Sequence, residues 1–185
     1  TGTVGQTLDL NLRLDRLPVG LANGFVPDLN SEGTLSGTAT ATGSISDPRA
    51  TFDLTGSGIT TRQIAQSGVA PLSLEASGTY ANGTATIGTA DIRVGSGSLV
   101  ASGTVGRTLN LDVTLNQVPV GLANGFIDGL GAQGTVSGTA SATGSISDPD
   151  ARFDISASNV SVAQSRSAGA PPIDATAAGT YAGGA

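Results

Sequence analysis

Polar and apolar residues alternate along several segments of the chain, with the period of two that is typical of β-strands. On one side of the predicted strands lie Leu8, Leu10, Leu12 and Leu14; Leu35 and Ile45; Ala50, Phe52 and Leu54; and Ala90, Ile92 and Val94. The positions between them are Asp, Asn, Arg, Ser or Thr. Sheets of antiparallel strands commonly bury one face and solvate the other. The pattern therefore predicts an all-β, mostly antiparallel sheet with one apolar face.

One segment departs from this alternation. Between Leu17 and Leu29 the large apolar residues are Leu17, Leu21, Phe25 and Leu29, which is a helical spacing. Pro18 suits the first position of a helix. This spacing predicts one short helix across the end of the sheet.

The pattern occurs twice. Gly2-Thr3-Val4-Gly5 recurs as Gly103-Thr104-Val105-Gly106, 101 positions later, and the same offset holds to the last residue. The second copies of the apolar positions are Leu109, Leu111, Val113, Leu115, Val136, Ile146, Phe153 and Ile155. We interpret residues 1–101 as a first β unit of about six strands and residues 102–185 as a second, truncated unit. Together they are expected to form one continuous groove segment of a longer protein.

Turn residues separate the predicted strands. They are Asp47-Pro48, Asn82-Gly83 and the segment from Gly95 to Gly97. Each is a local signal that the chain reverses direction. A meander of short antiparallel strands follows from their positions.

The composition indicates how the apolar face is used. Gly accounts for 28 residues, and aromatic residues for only 3%. So few large side chains favour a face that is not filled, and Gly in strands permits strong curvature. We therefore expect a curved sheet whose apolar side forms an open groove, with acyl chains as the natural occupant because apolar attraction is not directional.

Charge and missing residue types exclude other functions. The net charge is −6, whereas nucleic-acid binding needs a basic surface. The chain has no Cys and no His, so the usual thiolate and imidazole groups for metal binding and proton transfer are absent. We expect no catalysis, no metal and no cofactor. The run from Gly129 to Gly134 matches the dinucleotide-binding fingerprint, but it precedes a predicted strand, whereas the fingerprint follows one. Asp148-Pro149-Asp150 could offer two carboxylates to calcium, but the first copy has Asp47-Pro48-Arg49, so the site is not repeated.

Three motifs occur in the same order in both copies. They are Leu-Pro-x-x-Leu followed by Phe (Leu17 to Phe25), Gly-Thr-Leu-Ser-Gly (Gly33 to Gly37) and Gly-Ser-Ile-Ser-Asp-Pro (Gly43 to Pro48), and the second copies are Pro119 to Phe126, Gly134 to Gly138 and Gly144 to Pro149. This order resembles the C-terminal region of the TamB family, the inner-membrane-anchored part of the translocation and assembly module. The resemblance covers essentially the whole chain.

The resemblance implies a curled β-sheet with a hydrophobic groove, called a β-taco, located in the periplasm. It implies transport of phospholipid between the two membranes of a diderm bacterium, with an inner-membrane anchor and an Omp85-type outer-membrane barrel as partners of the full-length protein. The resemblance does not give a residue-by-residue match for the groove lining. It implies only that the groove lies on the side of the strands that carries the apolar residues named above.

Two other functions remain open at this point. The sheet could act as a chaperone-like module that binds strands of outer-membrane or autotransporter proteins during assembly. It could also be a structural or adhesin β-repeat with a filled core.

Overall fold

A computed structural model describes residues 2–4, 7–24 and 29–182 of the chain. These residues form one eleven-stranded sheet, in which every strand pairs antiparallel with its neighbours in sequence. The strands are β1 Gly2–Val4, β2 Thr7–Pro18, β3 Glu32–Ser44, β4 Asp47–Thr60, β5 Leu72–Ala81, β6 Thr84–Val94, β7 Gly97–Val105, β8 Thr108–Pro119, β9 Gln133–Ser145, β10 Asp148–Ser161 and β11 Ile173–Tyr181. The sheet is open, because β1 and β11 do not pair. The prediction of an all-β antiparallel fold is confirmed.

All helices of the described residues lie at one end of the strands, which we call the helix rim. They are the 3-10 helices η1 Val19–Gly24 and η2 Val120–Gly125, and the α-helices α1 Arg62–Ser67 and α2 Ala163–Ser167. At the opposite end, the turn rim, consecutive strands are joined by two-residue connections at 45–46, 82–83, 106–107 and 146–147. The two ends of the sheet are therefore built differently.

The strand register places the apolar residues on a single face. Residues directly opposite each other in an antiparallel pair point to the same side. One continuous row across the sheet contains Leu12, Ala39, Phe52, Gly78, Ile87, Gly103, Leu111, Ala142, Ala151 and Tyr181. Thr and Asn occupy the neighbouring row on the other side, as in the pairs of Thr40 with Asn11 and with Thr51.

β-bulges keep this face apolar where the alternation breaks. Leu14 pairs with Gly37 but Leu17 pairs with Leu35, so two residues of β2 oppose one of β3. Arg16 in this bulge has φ 50°, and its N–H donates to Ser36 Oγ at 3.0 Å. The bulge returns Leu17 to the apolar side.

The second copy has the same register. Leu10 pairs with Ala41, and Leu111 pairs with Ala142 in the same way. The six strands from β2 to β7 precede β8, the counterpart of β2. The sheet continues through the boundary at 101/102, which lies inside β7, because β7 pairs with both β6 and β8.

The structure corrects several sequence-based expectations. Ile45 and Ile146 were expected on a strand, but both lie in two-residue turns and are 58% and 59% exposed. Asp47 and Pro48 begin β4 and are not the turn itself, because β3 ends earlier, at Ser44.

The helix expected between Leu17 and Leu29 is shorter and of another type. Leu17 and Pro18 end β2, and only Val19–Gly24 is helical, in a 3-10 conformation. Phe25 lies outside the described residues. The α-helices α1 and α2 had no counterpart in the sequence-based expectation.

The best-packed part of the molecule is the helix rim. Five non-glycine residues in the described part of the chain are buried: Ser31, Ser67, Val94, Ala132 and Ser161. Four of them lie in the helices, in their loops or at the adjoining strand ends, and Val94 lies at the same end of the sheet, beside the two-residue connection at 95–96. At this rim Val94, on the apolar side, is buried, whereas the neighbouring Arg93, on the polar side, is exposed. At this position the apolar side of the sheet is therefore more buried than the polar side.

Candidate functional site

The candidate site is the apolar face, which we define by the paired rows that run across the strands. A second row, one step nearer the helix rim, contains Leu14, Gly37, Leu54, Ala76, Ala90, Ala101, Val113, Ala140, Phe153 and Gly179. A third contains Leu17, Leu35, Gly56, Leu74, Ile92, Leu99, Leu115, Gly138, Ile155 and Ala177. Every member of these two rows is apolar or Gly.

Residue size varies systematically on this face. On β5, β6 and β7 the second row consists of Ala76, Ala90 and Ala101. The third row on the same strands consists of Leu74, Ile92 and Leu99. A strip of methyl groups is thus bordered on its helix-rim side by long aliphatic side chains, which makes it a shallow apolar depression.

Two phenylalanines pack across strands onto glycines. A Cβ atom on Gly78 would lie 2.7 Å from Cζ of Phe52, and a Cβ on Gly179 would lie 2.7 Å from Cζ of Phe153. Each ring therefore lies over the opposing glycine, an arrangement that favours strand pairing. Because the rings lie over these glycines, they follow the surface of the sheet.

No second layer of the described residues covers most of this face. Leu12 is 52% exposed and Phe153 is 39% exposed, whereas most other large residues of the rows are half-buried. In the described part of the chain, Val94 and Ala132 are the only buried hydrophobic residues. Packing of domains normally buries an apolar sheet face against another layer. This face therefore presents an extended apolar surface of the kind that marks an interaction site.

Most of the residues predicted to line a groove lie on this face. Sixteen of the eighteen are brought together by the strand register: Leu8, Leu10, Leu12, Leu14, Leu35, Phe52, Leu54, Ile92, Val94, Leu109, Leu111, Val113, Leu115, Val136, Phe153 and Ile155. The other two are the turn residues Ile45 and Ile146.

Sequence reasoning missed several members of the face. Leu74, Leu99 and Val105 lie on it and could have been found from their own alternation, as in Leu72-Ser73-Leu74. Ile87 could not have been found in this way. Simple alternation would place Ile87 and Ala90 on opposite faces, but the bulge at Gly88 brings both to the apolar face. The two tyrosines, Tyr80 and Tyr181, also lie on this face, opposite Ala50 and Ala151.

The opposite face is polar and carries the charges of the strands. Thr40 and Thr51 join their hydroxyls across two strands at 2.7 Å, and Arg93 donates to Asp91 Oδ2 at 2.8 Å. This hydrogen bond and the negative charges of Asp91 and Glu75 raise the pKa of Arg93. A hollow of about 310 Å³ is lined by polar residues such as Asp112, Ser141 and Arg152, together with Val113, Ala140 and Phe153 of the intervening row. This face offers directed hydrogen bonds where the apolar face offers none.

In the part of the chain that the structure describes, no group of three or more His, Cys, Asp or Glu side chains is placed to hold a metal ion. No helix of these residues combines the length and the hydropathy that a membrane crossing requires. Comparison of the chain with protein families, with curated proteins and with solved structures finds no match.

Proposed function

We propose that this chain is a segment of a hydrophobic β-groove that conducts phospholipid between the inner and outer membranes, without catalysis. The observation that carries the proposal is the apolar face, which continues through the strands of the sheet and is half-buried to exposed along most of its extent. Strands spaced about 4.8 Å apart give this face a width of roughly 48 Å over ten intervals. A long, uncovered apolar surface suits a long apolar ligand.

Acyl chains fit the chemistry of this surface. Burial of a methylene contributes about 0.8 kcal/mol, so a chain of about 16 carbons gains on the order of 12 kcal/mol before the costs of binding. The second and third rows contain no polar side chain that would fix the ligand at one position. A chain bound by area alone can shift along the rows with little change in free energy, as transport requires.

Curvature of the sheet is part of the proposal and has support at the helix rim. Helix α1 follows β4, η2 follows β8, and the two helices pack against each other. Four strand intervals separate their points of attachment, roughly 19 Å in a flat sheet. Their contact favours a sheet that bends between β4 and β8, which would turn the apolar face into a groove.

The location and the partners rest on the sequence resemblance. The TamB-like order of motifs supports a periplasmic location, an inner-membrane anchor and an Omp85-type barrel for the full-length protein. These partners are proposed for the full-length protein, and the groove is proposed for this chain.

The test is a pair of substitutions with the same charge on opposite faces. Leu111→Arg puts a guanidinium on the apolar face, and Asn110→Arg puts one on the exposed polar face of the same strand. Because burying an unpaired charge against acyl chains is costly, we expect the first variant to lose co-purified phospholipid in native mass spectrometry. The second variant should retain it.

Circular dichroism of both variants shows whether the sheet is intact. If the folded unmodified protein carries no phospholipid, the conduit is wrong and a structural or adhesin β-repeat is favoured. Equal lipid loss in both variants would also contradict the proposal.

A second function, chaperone-like binding of outer-membrane or autotransporter strands, is also open to test. A peptide that binds by strand addition uses the main-chain hydrogen bonds of a sheet edge. Such a peptide should therefore bind equally well to the Leu111→Arg variant, in which only a side chain of the apolar face is changed. Loss of lipid with unchanged peptide binding would separate the two activities.

A further inference from the structure

The two ends of the apolar face differ in a way that gives a bound lipid an orientation. We infer that phospholipids lie with their headgroups at the turn rim and their acyl chains directed toward the helix rim. This inference rests on the proposed function, because it assigns the polarity of the same site.

The three buried polar side chains of the helix rim already have hydrogen-bond partners within the protein. Ser31 Oγ donates to Asn23 Oδ1 at 2.7 Å, Ser67 Oγ donates to Ile64 O at 2.6 Å, and Ser161 Oγ accepts from Arg166 Nη1 at 3.0 Å. A headgroup placed beneath the helices would lose its water without gaining these partners. That loss is unfavourable for any charged or zwitterionic group.

Apolar packing is also strongest at this end. Val94 is 3% exposed, and its partners across the strands are Leu72 and Gly97. The neighbouring row contributes Leu74, Ile92 and Leu99. The terminal part of an acyl chain, which has no polar atoms, is suited to this end of the face.

The turn rim has the opposite character. Its two-residue connections leave the strand ends uncovered, and the side chains of Asp47, Arg107 and Asp148 are exposed there. Charged groups of both signs in contact with water surround the end of the apolar face. A phospholipid headgroup at this rim keeps its hydration.

Tyr80 and Tyr181 mark the boundary between these two environments. Both lie at the turn-rim end of their strands with apolar-face parity, and they are 38% and 58% exposed. Tyrosine prefers a boundary where its ring contacts apolar groups and its hydroxyl contacts water or a polar group. The interface between acyl chain and headgroup is such a boundary.

The chain has two tyrosines and no tryptophan, so its own fluorescence reports the turn rim. The experiment uses the unmodified protein with phospholipid that carries a nitroxide either on the headgroup or at the terminal methyl of an acyl chain. We expect a larger loss of tyrosine emission with the headgroup nitroxide. A larger loss with the terminal-methyl nitroxide, or equal losses, would overturn the orientation.

A reporter at the other rim gives the complementary measurement. Leu99→Trp places a fluorophore on the apolar face near the helix rim, and Ser98→Trp places one on the polar face beside it as a matched control. Emission of the first tryptophan should be lost mainly to the terminal-methyl nitroxide, and that of the second to neither. The tyrosine measurement decides the orientation if Leu99→Trp does not fold.

The failure of the inference is distinct from the failure of the proposed function. Native mass spectrometry shows whether lipid binds. If lipid binds but the terminal-methyl nitroxide quenches tyrosine as much as or more than the headgroup nitroxide, only the orientation is contradicted. Absence of both bound lipid and quenching overturns the conduit, and the orientation with it.

Discussion

At the scale of the residue, several glycines of the sheet are required by the backbone. Gly37 and Gly103 have φ values of 143° and 130°, a region that other residues rarely adopt. A Cβ atom at Gly103 would overlap the carbonyl oxygen of Asn110 on the next strand. These glycines let neighbouring strands approach within the apolar face.

Replacing Gly103 should therefore destabilise the sheet. We expect Gly103→Ala to lower the free energy of unfolding by about 2 kcal/mol or more, from backbone strain and overlap together. Gly88→Ala is the control, because φ at Gly88 is not in the left-handed region and its Cβ would meet only ordinary contacts with Ser77. Urea unfolding measures both, and equal midpoints would contradict the account of Gly103.

At the scale of the element, one asparagine in each 3-10 helix holds the loop that leads into the next strand. Asn124 Oδ1 accepts from Ala132 N at 2.6 Å, and Asn124 Nδ2 donates to Ala132 O at 3.1 Å. Asn23 makes the same two hydrogen bonds with Ser31. The side-chain amide thus replaces the backbone partner that a neighbouring strand would supply.

Removal of this amide should be costly because Ala132 is buried. Asn124→Ala leaves the backbone N–H and C=O of Ala132 without their partners, and each such buried group costs about 1–3 kcal/mol. Asn124→Asp keeps the acceptor for Ala132 N–H and should cost less. Asn110→Ala, on the exposed polar face, should stay within about 0.5 kcal/mol of the unmodified protein in thermal or urea unfolding. If Asn124→Ala lowered the free energy of unfolding as little as Asn110→Ala, the loop would be held by other contacts.

At the scale of the whole molecule, the contact between α1 and η2 couples the two copies. α1 belongs to the first copy and η2 to the second, and a Cβ atom on Gly125 would overlap the backbone carbonyl of Gln63. The corresponding Gly24 of η1 has nothing within 4 Å of such an atom. In repeat proteins the contacts between neighbours carry much of the cooperativity of unfolding.

Gly125→Ala and Gly24→Ala therefore test this coupling with the same change at equivalent positions. We expect Gly125→Ala to cost about 1–3 kcal/mol through overpacking and to increase amide hydrogen exchange in α1. Gly24→Ala should leave exchange in α1 unchanged. Identical exchange in the two variants would mean that the contact does not couple the copies.

The alternation of residues was sufficient to predict much of the candidate site. Leu8 to Leu14, Phe52 with Leu54, and Ile92 with Val94 each share a side because successive residues of a strand point to opposite faces, which is a local property. The repeat offset then predicted the second set of positions from the first. Open curvature, lipid binding and the place in the cell stay predictions, and native mass spectrometry of the Leu111→Arg and Asn110→Arg variants tests the lipid binding.

Only the tertiary structure shows which residues distant in sequence pair with each other. Leu17 has helical spacing toward Leu21, but its pairing with Leu35 through a bulge makes it part of the sheet. Ile45 continues the alternation of β3 but lies in the turn, since the pairing of β3 with β4 ends at Ser44 and Asp47.

The difference between the two rims also belongs to the tertiary structure. The short segments that form α1 and η2 lie far apart along the chain, and nothing in either one specifies the other as its neighbour. The amino-acid sequence determined which side of each strand is apolar, because that depends on single residues and a period of two. The assembled sheet determined which end of that side is best packed, because it brings segments from four separate loops to the same end of the strands.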